Sequence, residues 1–203
     1  RLGGYSVGVV GNDPLVLAGA MNGDAADKYT HFVDLCDTFN LPMVIFLDMP
    51  GFMLGSAAEK QATMRRGVRA LIASHEAKVP KVEFNVRKSY GVAADAPNSL
   101  GEPDGLNLRF GWPAGEWGGI PIEGGVAAAY RREIESAPDP EAHRTMIEER
   151  LLRLRSPLRA AQKFDVIDLI DPRDTRKIAC QFVELAQPLL HRIADRPKRA
   201  VRP

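Results

Sequence analysis

A chain of 203 residues with 45% hydrophobic composition is long enough to bury one sizeable core, and it fits a single large domain better than two small ones. The formal net charge is only +1 with 26% charged residues, so no global field exists that would recruit nucleic acid or an anionic membrane. No apolar run approaches the length of a membrane span, and Cys36 and Cys180 lie far apart without CxxC spacing, which reads as two buried thiols in a reducing, cytoplasmic compartment.

The chain starts at Arg1-Leu2-Gly3-Gly4-Tyr5 without an initiator Met or a signal-peptide pattern, and is expected to begin within something longer. Apolar runs at residues 6–10 and 15–18 flank Gly-Asn-Asp-Pro and predict two tightly joined strands. From Asp24, which is placed to cap a first turn, Tyr29, Phe32, Val33, Cys36 and Phe39 recur at helical spacing. Residues 43–47 are continuously apolar, as a strand covered on both faces of a parallel sheet should be, and Asp48-Met49-Pro50-Gly51-Phe52 follows as a loop. Residues 59–77 predict a second helix, with Met64, Val68, Leu71 and Ile72 on one side.

Residues 79–95 read as a strand, a sharp Gly91 turn and a helix of small residues. Val82, Phe84 and Val86 alternate with polar neighbours, Gly91 supplies a permissive backbone, and Val92, Ala93 and Ala94 expose peptide N–H groups scarcely covered by side chain. Such a helix start can seat a developing negative charge, although strand–Gly–helix junctions are also ordinary α/β connections. Residues 97–119 predict irregular structure with short strands, residues 123–135 a helix, and residues 141–155 another after Pro138-Asp139-Pro140. A short edge strand at 164–170 precedes a last helix, whose apolar stripe is Ile178, Phe182, Leu185 and Leu189. The order implies βαβ crossovers in a mostly parallel α/β sheet, where ligands bind at the carboxyl ends of the strands, near the Pro50-Gly51-Phe52 loop and the Gly91 turn.

His31, His75, His143 and His191 sit singly, so the spacing predicts no metal site. There is no GxSxG elbow, GxGxxG loop or Walker loop. Carboxylate pairs such as Asp24 with Asp27, or Asp171 with Asp174, lie at helix starts, where capping accounts for them. The chemistry that survives is run by backbone dipoles, in which N–H donors stabilise charge growing on an oxygen.

Gly8-Val-Val-Gly-Asn-Asp-Pro, Ala25-Ala-Asp-Lys28, Asp48-Met-Pro-Gly-Phe52, Arg87-Lys-Ser-Tyr-Gly91, Trp112-Pro113 and Asp171-Pro-Arg-Asp-Thr-Arg176 occur in the order of a known family. The chain resembles the C-terminal half of the acyl-CoA carboxylase β-subunit, or carboxyltransferase, family of the propionyl-CoA carboxylase type. The resemblance implies a crotonase-like superhelix of ββα units with extra C-terminal helices. It spans a domain at residues 3–190, followed by a basic, disordered tail at 191–203. It implies a carboxyltransferase that moves a carboxyl group from carboxybiotin, on a carrier partner, to the α-carbon of a short acyl-CoA such as propionyl-CoA. The implied partners are the N-terminal half, a biotin carboxylase and biotin carrier subunit, and further copies of the chain. A biotin-linked acyl-CoA decarboxylase and a non-catalytic assembly half are the alternatives.

On this resemblance, the N–H groups of Val92 and Ala93 form an oxyanion hole for the ureido oxygen of biotin. Tyr90 and Gly91 border the same site, and Pro50, Gly51 and Phe52 border the biotin side. Asp95 falls at a position that helps select acyl length, though residue type alone equally allows a helix-start carboxylate. Val92, Ala94, Leu54 and Trp117-Gly-Gly-Ile-Pro121 depart from the family pattern and point to a divergent subfamily. A β-branched residue tolerates positive φ poorly, so Val92 is expected at negative φ with its N–H still presented.

Overall fold

The structure, a computed structural model, describes residues 1–95, 97 and 105–194. In chain order its elements are β1 (Gly8–Gly11), α1 (Gly23–Thr38), β2 (Met43–Met49), α2 (Ser56–Lys60), α3 (Thr63–Glu76), β3 (Lys81–Tyr90) and α4 (Gly91–Asp95). There follow β4 (Asn107–Gly111), β5 (Glu116–Gly118), α5 (Ile122–Ala129), α6 (Arg131–Glu135), α7 (Pro140–Leu154), α8 (Pro157–Gln162), β6 (Asp168–Leu169) and α9 (Thr175–Ile193). The strands pair in the order β1-β2-β3-β4-β6, all parallel, and β5 pairs in parallel with the far end of β3. Helices α1 and α3 are therefore crossovers, as the alternation of strand and helix implies.

One face of the sheet carries Met43, Ile45, Leu47 and Met49 of β2 against α1 and α3. The other packs Val44, Val82 and Phe84 against Ala179, Phe182 and Val183 of α9. Phe46, Phe84 and Phe110 stack across three neighbouring strands on that second face, with ring centroids 5.6 and 5.8 Å apart. A third cluster, Ile122, Val126 and Ile147, joins α5 to α7 as an outer layer. Cys36 is buried and its thiol is pushed up to about 11 by desolvation, whereas Cys180 is only half-buried, so just one of the two thiols lies in the core.

Several elements differ from the sequence reading. Residues 15–18 form no strand: the Asp13 carboxylate accepts the Leu15 N–H at 2.9 Å, Val16 O accepts from Gly19, and Leu15 stays 93% exposed. That side-chain turn satisfies the backbone locally and leaves the run without a sheet neighbour. Asn22, not Asp24, caps α1, accepting the Ala25 N–H at 2.9 Å, while Asp24 pairs with Arg66 of α3 at 2.8 Å. The helix expected at 59–77 is broken at Ala62, which adopts φ 53°, and the break sets α3 on a separate course from α2. The helix expected at 123–135 is likewise split at Tyr130, and α8 was not foreseen.

The buried stripe of α9 is Ala179, Phe182, Val183 and Ala186, with Leu185 61% exposed; the small alanines let the helix approach the sheet. This helix runs through Ile193, which is buried, so residues 191–193 are helical rather than tail. Residues 195–203 of the expected tail, and 98–104 of the expected irregular stretch, lie outside the described residues.

The polar neighbours on β3 do not face water. Lys81, Glu83 and Asn85 are all buried, because β3 is central and covered on both faces. Among the described residues no helix is long and apolar enough to cross a membrane.

Candidate functional site

The site grows from the end of β3. Tyr90 pairs with Gly118 of β5, and the chain then turns through Gly91 at φ 63° directly into α4. That left-handed conformation costs a residue with a side chain about 1 kcal/mol or more. A Cβ on Gly91 would also stand 3.2 Å from the carbonyl oxygen of Gly119. Val92 is absent from the described residues with positive φ, as its branching requires, and it is 56% exposed. The first-turn N–H groups of Val92 and Ala93 have no acceptor inside a helix this short.

Val92 lines an open cleft of about 530 Å³ at the carboxyl edge of the sheet. Gly91 and Asp95 share it, with Arg109 of β4, Trp117 of β5, and Arg159 and Lys163 from the α8 segment. Three cationic side chains line it together with Asp95 and Asp165, with Glu83 beneath Arg109, and cations so placed suit an anionic group. Another cavity, of about 310 Å³, lies beside Val79, Pro80, Leu106 and Ile193 at the amino-terminal edge, where ligands of parallel sheets do not ordinarily bind.

The structure separates the remaining candidates. Ala93 is buried under the first turn and does not line the cleft. Tyr90 is buried too, and its hydroxyl donates to Glu116 at 2.8 Å. Arg155 lies 3.3 Å from the same carboxylate oxygen, so this trio bolts α7 onto β5, and burial pushes the Tyr90 phenol up to about 12. Tyr90 instead borders an adjoining hollow of about 450 Å³ with Ile122, Tyr130 and Leu151.

Pro50, Gly51 and Phe52 leave β2 at the same sheet edge without lining the cleft. Their loop is held by Met21 N–H to Gly51 O at 3.0 Å and by Met53 N–H to Met21 O at 2.9 Å. The Phe52 ring fills the space that a Cβ on Gly67 would need, 2.4 Å from its nearest carbons, so it serves packing first. Asp48 secures the junction from inside: it accepts from the Arg87 guanidinium at 3.0 Å and from the Lys88 N–H at 3.2 Å.

Sequence reasoning did not single out Arg109, Arg159 or Lys163. Only Arg109 carried a signal, a cation at the centre of the strand run Asn107-Leu-Arg-Phe-Gly111. Among the described residues no cluster of three His, Cys, Asp or Glu side chains could hold a metal ion.

Residues 1–199 match the family described as the carboxyl transferase domain. The chain is 40% identical over 177 residues to the propionyl-CoA carboxylase carboxyltransferase subunit of Haloferax mediterranei, covering 87% of this chain and 34% of that protein. It is 38% identical over 186 residues to the methylmalonyl-CoA carboxyltransferase 12S subunit of Propionibacterium freudenreichii subsp. shermanii, covering 91% and 35%. The crystal structure of transcarboxylase 12S, a hexamer with methylmalonyl-CoA and methylmalonic acid bound, superposes with a TM-score of 0.80 at 35% identity, over 100% of this chain and 37% of that one. The chain thus spans about a third of the length of the relatives it matches, and the crotonase-like parallel α/β fold is shared with them. It belongs to the carboxyl transferase domain family.

Proposed function

We propose that this chain supplies the biotin side of an acyl-CoA carboxyltransferase, which moves a carboxyl group from carboxybiotin to the α-carbon of a short acyl-CoA such as propionyl-CoA. The observation that carries the reading is the first turn of α4, presented by a left-handed Gly91 at the edge of a cleft that Arg109, Arg159 and Lys163 line. The residues suit such a group: Val92 lines the cleft together with the three cations, and a Cβ at position 91 would crowd the Gly119 carbonyl that borders them.

Carboxybiotin, when bound, supplies the activated carboxyl group. The chain's own part is electrostatic. The Val92 N–H, at the cleft, holds the oxygen on which charge develops, and removing such a donor commonly costs about 3 kcal/mol of transition-state stabilisation; Ala93, buried and off the cleft, has no part in it. No side-chain base is needed on this side, which accords with the absence of a nucleophile–base pair in the sequence. Asp95 at the far end of α4 reaches the same cleft and is placed to bear on the acyl substrate. The partners under this reading are the N-terminal carboxyltransferase half, a biotin carboxylase with its carrier, and further copies of the chain in a cytoplasmic assembly. The hexamer of the similar transcarboxylase 12S supports that last point.

A biotin-linked decarboxylase is the second reading. It is favoured by 36% identity over 180 residues to the methylmalonyl-CoA decarboxylase subunit alpha of Propionigenium modestum, covering 87% of this chain. The test combines this chain with its N-terminal half and follows avidin-sensitive carboxyl transfer between methylmalonyl-CoA and free biotin. Transfer supports the proposal. A well-folded complex without transfer overturns it in favour of an assembly role.

A further inference from the structure

Helix α4 has five residues, too few to hold its own shape, so whatever ties it down decides where its N–H groups point. Beneath it lies the buried polar row of β3. Glu83 stands opposite Arg109 in the β3–β4 register, and its Oε1 is 3.0 Å from the Arg109 Nε. The Arg109 guanidinium continues outward, with Nη1 3.8 Å from Asp95 Oδ1 at the end of α4. A second tie acts two residues further on: the Tyr29 hydroxyl and the Ser74 hydroxyl both donate to the Pro97 carbonyl, each at 2.9 Å. The buried Lys81 ammonium donates in turn to the Ser74 carbonyl and hydroxyl.

We propose that Glu83 and Arg109 are positioning residues that fix α4 and the Asp95 carboxylate at the cleft, a role that rests on the carboxyltransferase reading above. The arrangement is a poor way to stabilise a fold. Glu83 is 1% exposed and its Oε2 has no hydrogen-bond partner among the described residues, whereas an apolar pair of similar volume would fill the site at no electrostatic cost. What an apolar pair could not do is reach from the centre of the sheet to the end of α4 with a directed guanidinium. Arg109 does this while also lining the cleft with Val92 and Asp95.

The charged and titratable groups facing Glu83 are Arg109 on β4, Asp95 on α4, Lys81 on its own strand and Tyr29 on α1. Burial, the largest influence, pushes Glu83 up to about 7, so its grip on Arg109 as a carboxylate develops across neutral pH. Gln at this position keeps the shape and mimics the protonated acid.

The test compares wild type with Glu83→Gln and Arg109→Gln in the complex with the N-terminal half, following transfer from methylmalonyl-CoA to free biotin between pH 6 and 8.5. The wild-type to Glu83→Gln ratio of kcat is expected near one at pH 6, rising to roughly tenfold or more at pH 8, with KM for the thioester within about twofold. Arg109→Gln should show the loss throughout. A ratio flat with pH overturns the role of Glu83, and full activity in Arg109→Gln overturns that of Arg109. Wild type without transfer instead overturns the carboxyltransferase reading. The positioning role is then decided by amide hydrogen exchange at Ala94 and Asp95, which should speed up in both variants if the tie exists and stay unchanged if it does not.

Discussion

Gly91 and the Gly119 carbonyl are so close that a single methyl group on Gly91 would come to rest 3.2 Å from that oxygen. With φ at 63°, the position demands glycine on two independent grounds. Gly91→Ala is expected to lower unfolding stability by about 1–2 kcal/mol and to displace the first turn of α4. Urea denaturation measures the first effect and the transfer assay the second; a variant as stable and as active as wild type would show that the turn is not strained.

Val92→Pro isolates the proposed donor. Proline suits the first turn of a helix, where its missing N–H breaks no helical bond, and Gly91 before it has no Cβ to clash with the ring, which leaves only the backbone part of the restriction that proline imposes. The variant should therefore fold, with a modestly lowered melting temperature, yet lose about two orders of magnitude in kcat per folded enzyme. Undiminished transfer by a folded Val92→Pro enzyme would remove that N–H from the mechanism.

The Phe52 ring occupies the space above Gly67, and a Cβ there would lie 2.4 Å from two of its carbons. Gly67→Ala must push the ring out or part α3 from the loop, at a cost of about 1–3 kcal/mol. If Phe52 only packs, transfer by the surviving folded fraction should match wild type. A large kcat loss at full occupancy of the folded state would restore Phe52 to the biotin side.

Stability should also depend on pH through the buried row of β3. Glu83 is raised from 4.5 to about 7 by burial, so the folded state prefers the protonated acid. Its contribution is fully present below pH 4.5 and is lost as pH rises through 7. Wild type should thus lose stability relative to Glu83→Gln between about pH 5 and 8. Lys81 runs the other way. Burial lowers it from 10.5 to about 8, so its contribution is present above 10.5 and is lost as pH falls through 8. Urea midpoints for wild type, Glu83→Gln and Lys81→Met across pH 5–10.5 measure both slopes, and parallel curves would contradict them.

Much of this protein was legible in local sequence. The period of Tyr29, Val33 and Cys36 marks α1, the unbroken apolar run marks β2 as a doubly covered strand, and Gly91 between a strand and small residues marks the turn. Each signal is a property of a few neighbouring residues obeying a backbone preference. Local patterns misled where a pairing had to be known. Residues 15–18 are apolar enough for a strand but have no sheet partner, and the stripe guessed for α9 included Leu185, which faces solvent.

The cleft was out of reach for the same reason. Arg109, Trp117, Arg159 and Lys163 are scattered over more than fifty positions of sequence, and nothing but the β3–β4 and β3–β5 pairings and the course of α8 brings them to Val92. The polar residues of β3 show this most sharply. In the sequence Lys81, Glu83 and Asn85 are the outward half of an alternating strand; in the fold they are buried, because strands on both sides and helices above make β3 central. By itself, then, the sequence determined the alternation of strands and helices and the glycine turn, which rest on short-range backbone chemistry, and carried the family in the order of its motifs. Tertiary structure alone decided which charges lie inside and which residues meet at the cleft, because burial belongs to the packed assembly of elements and not to any one of them.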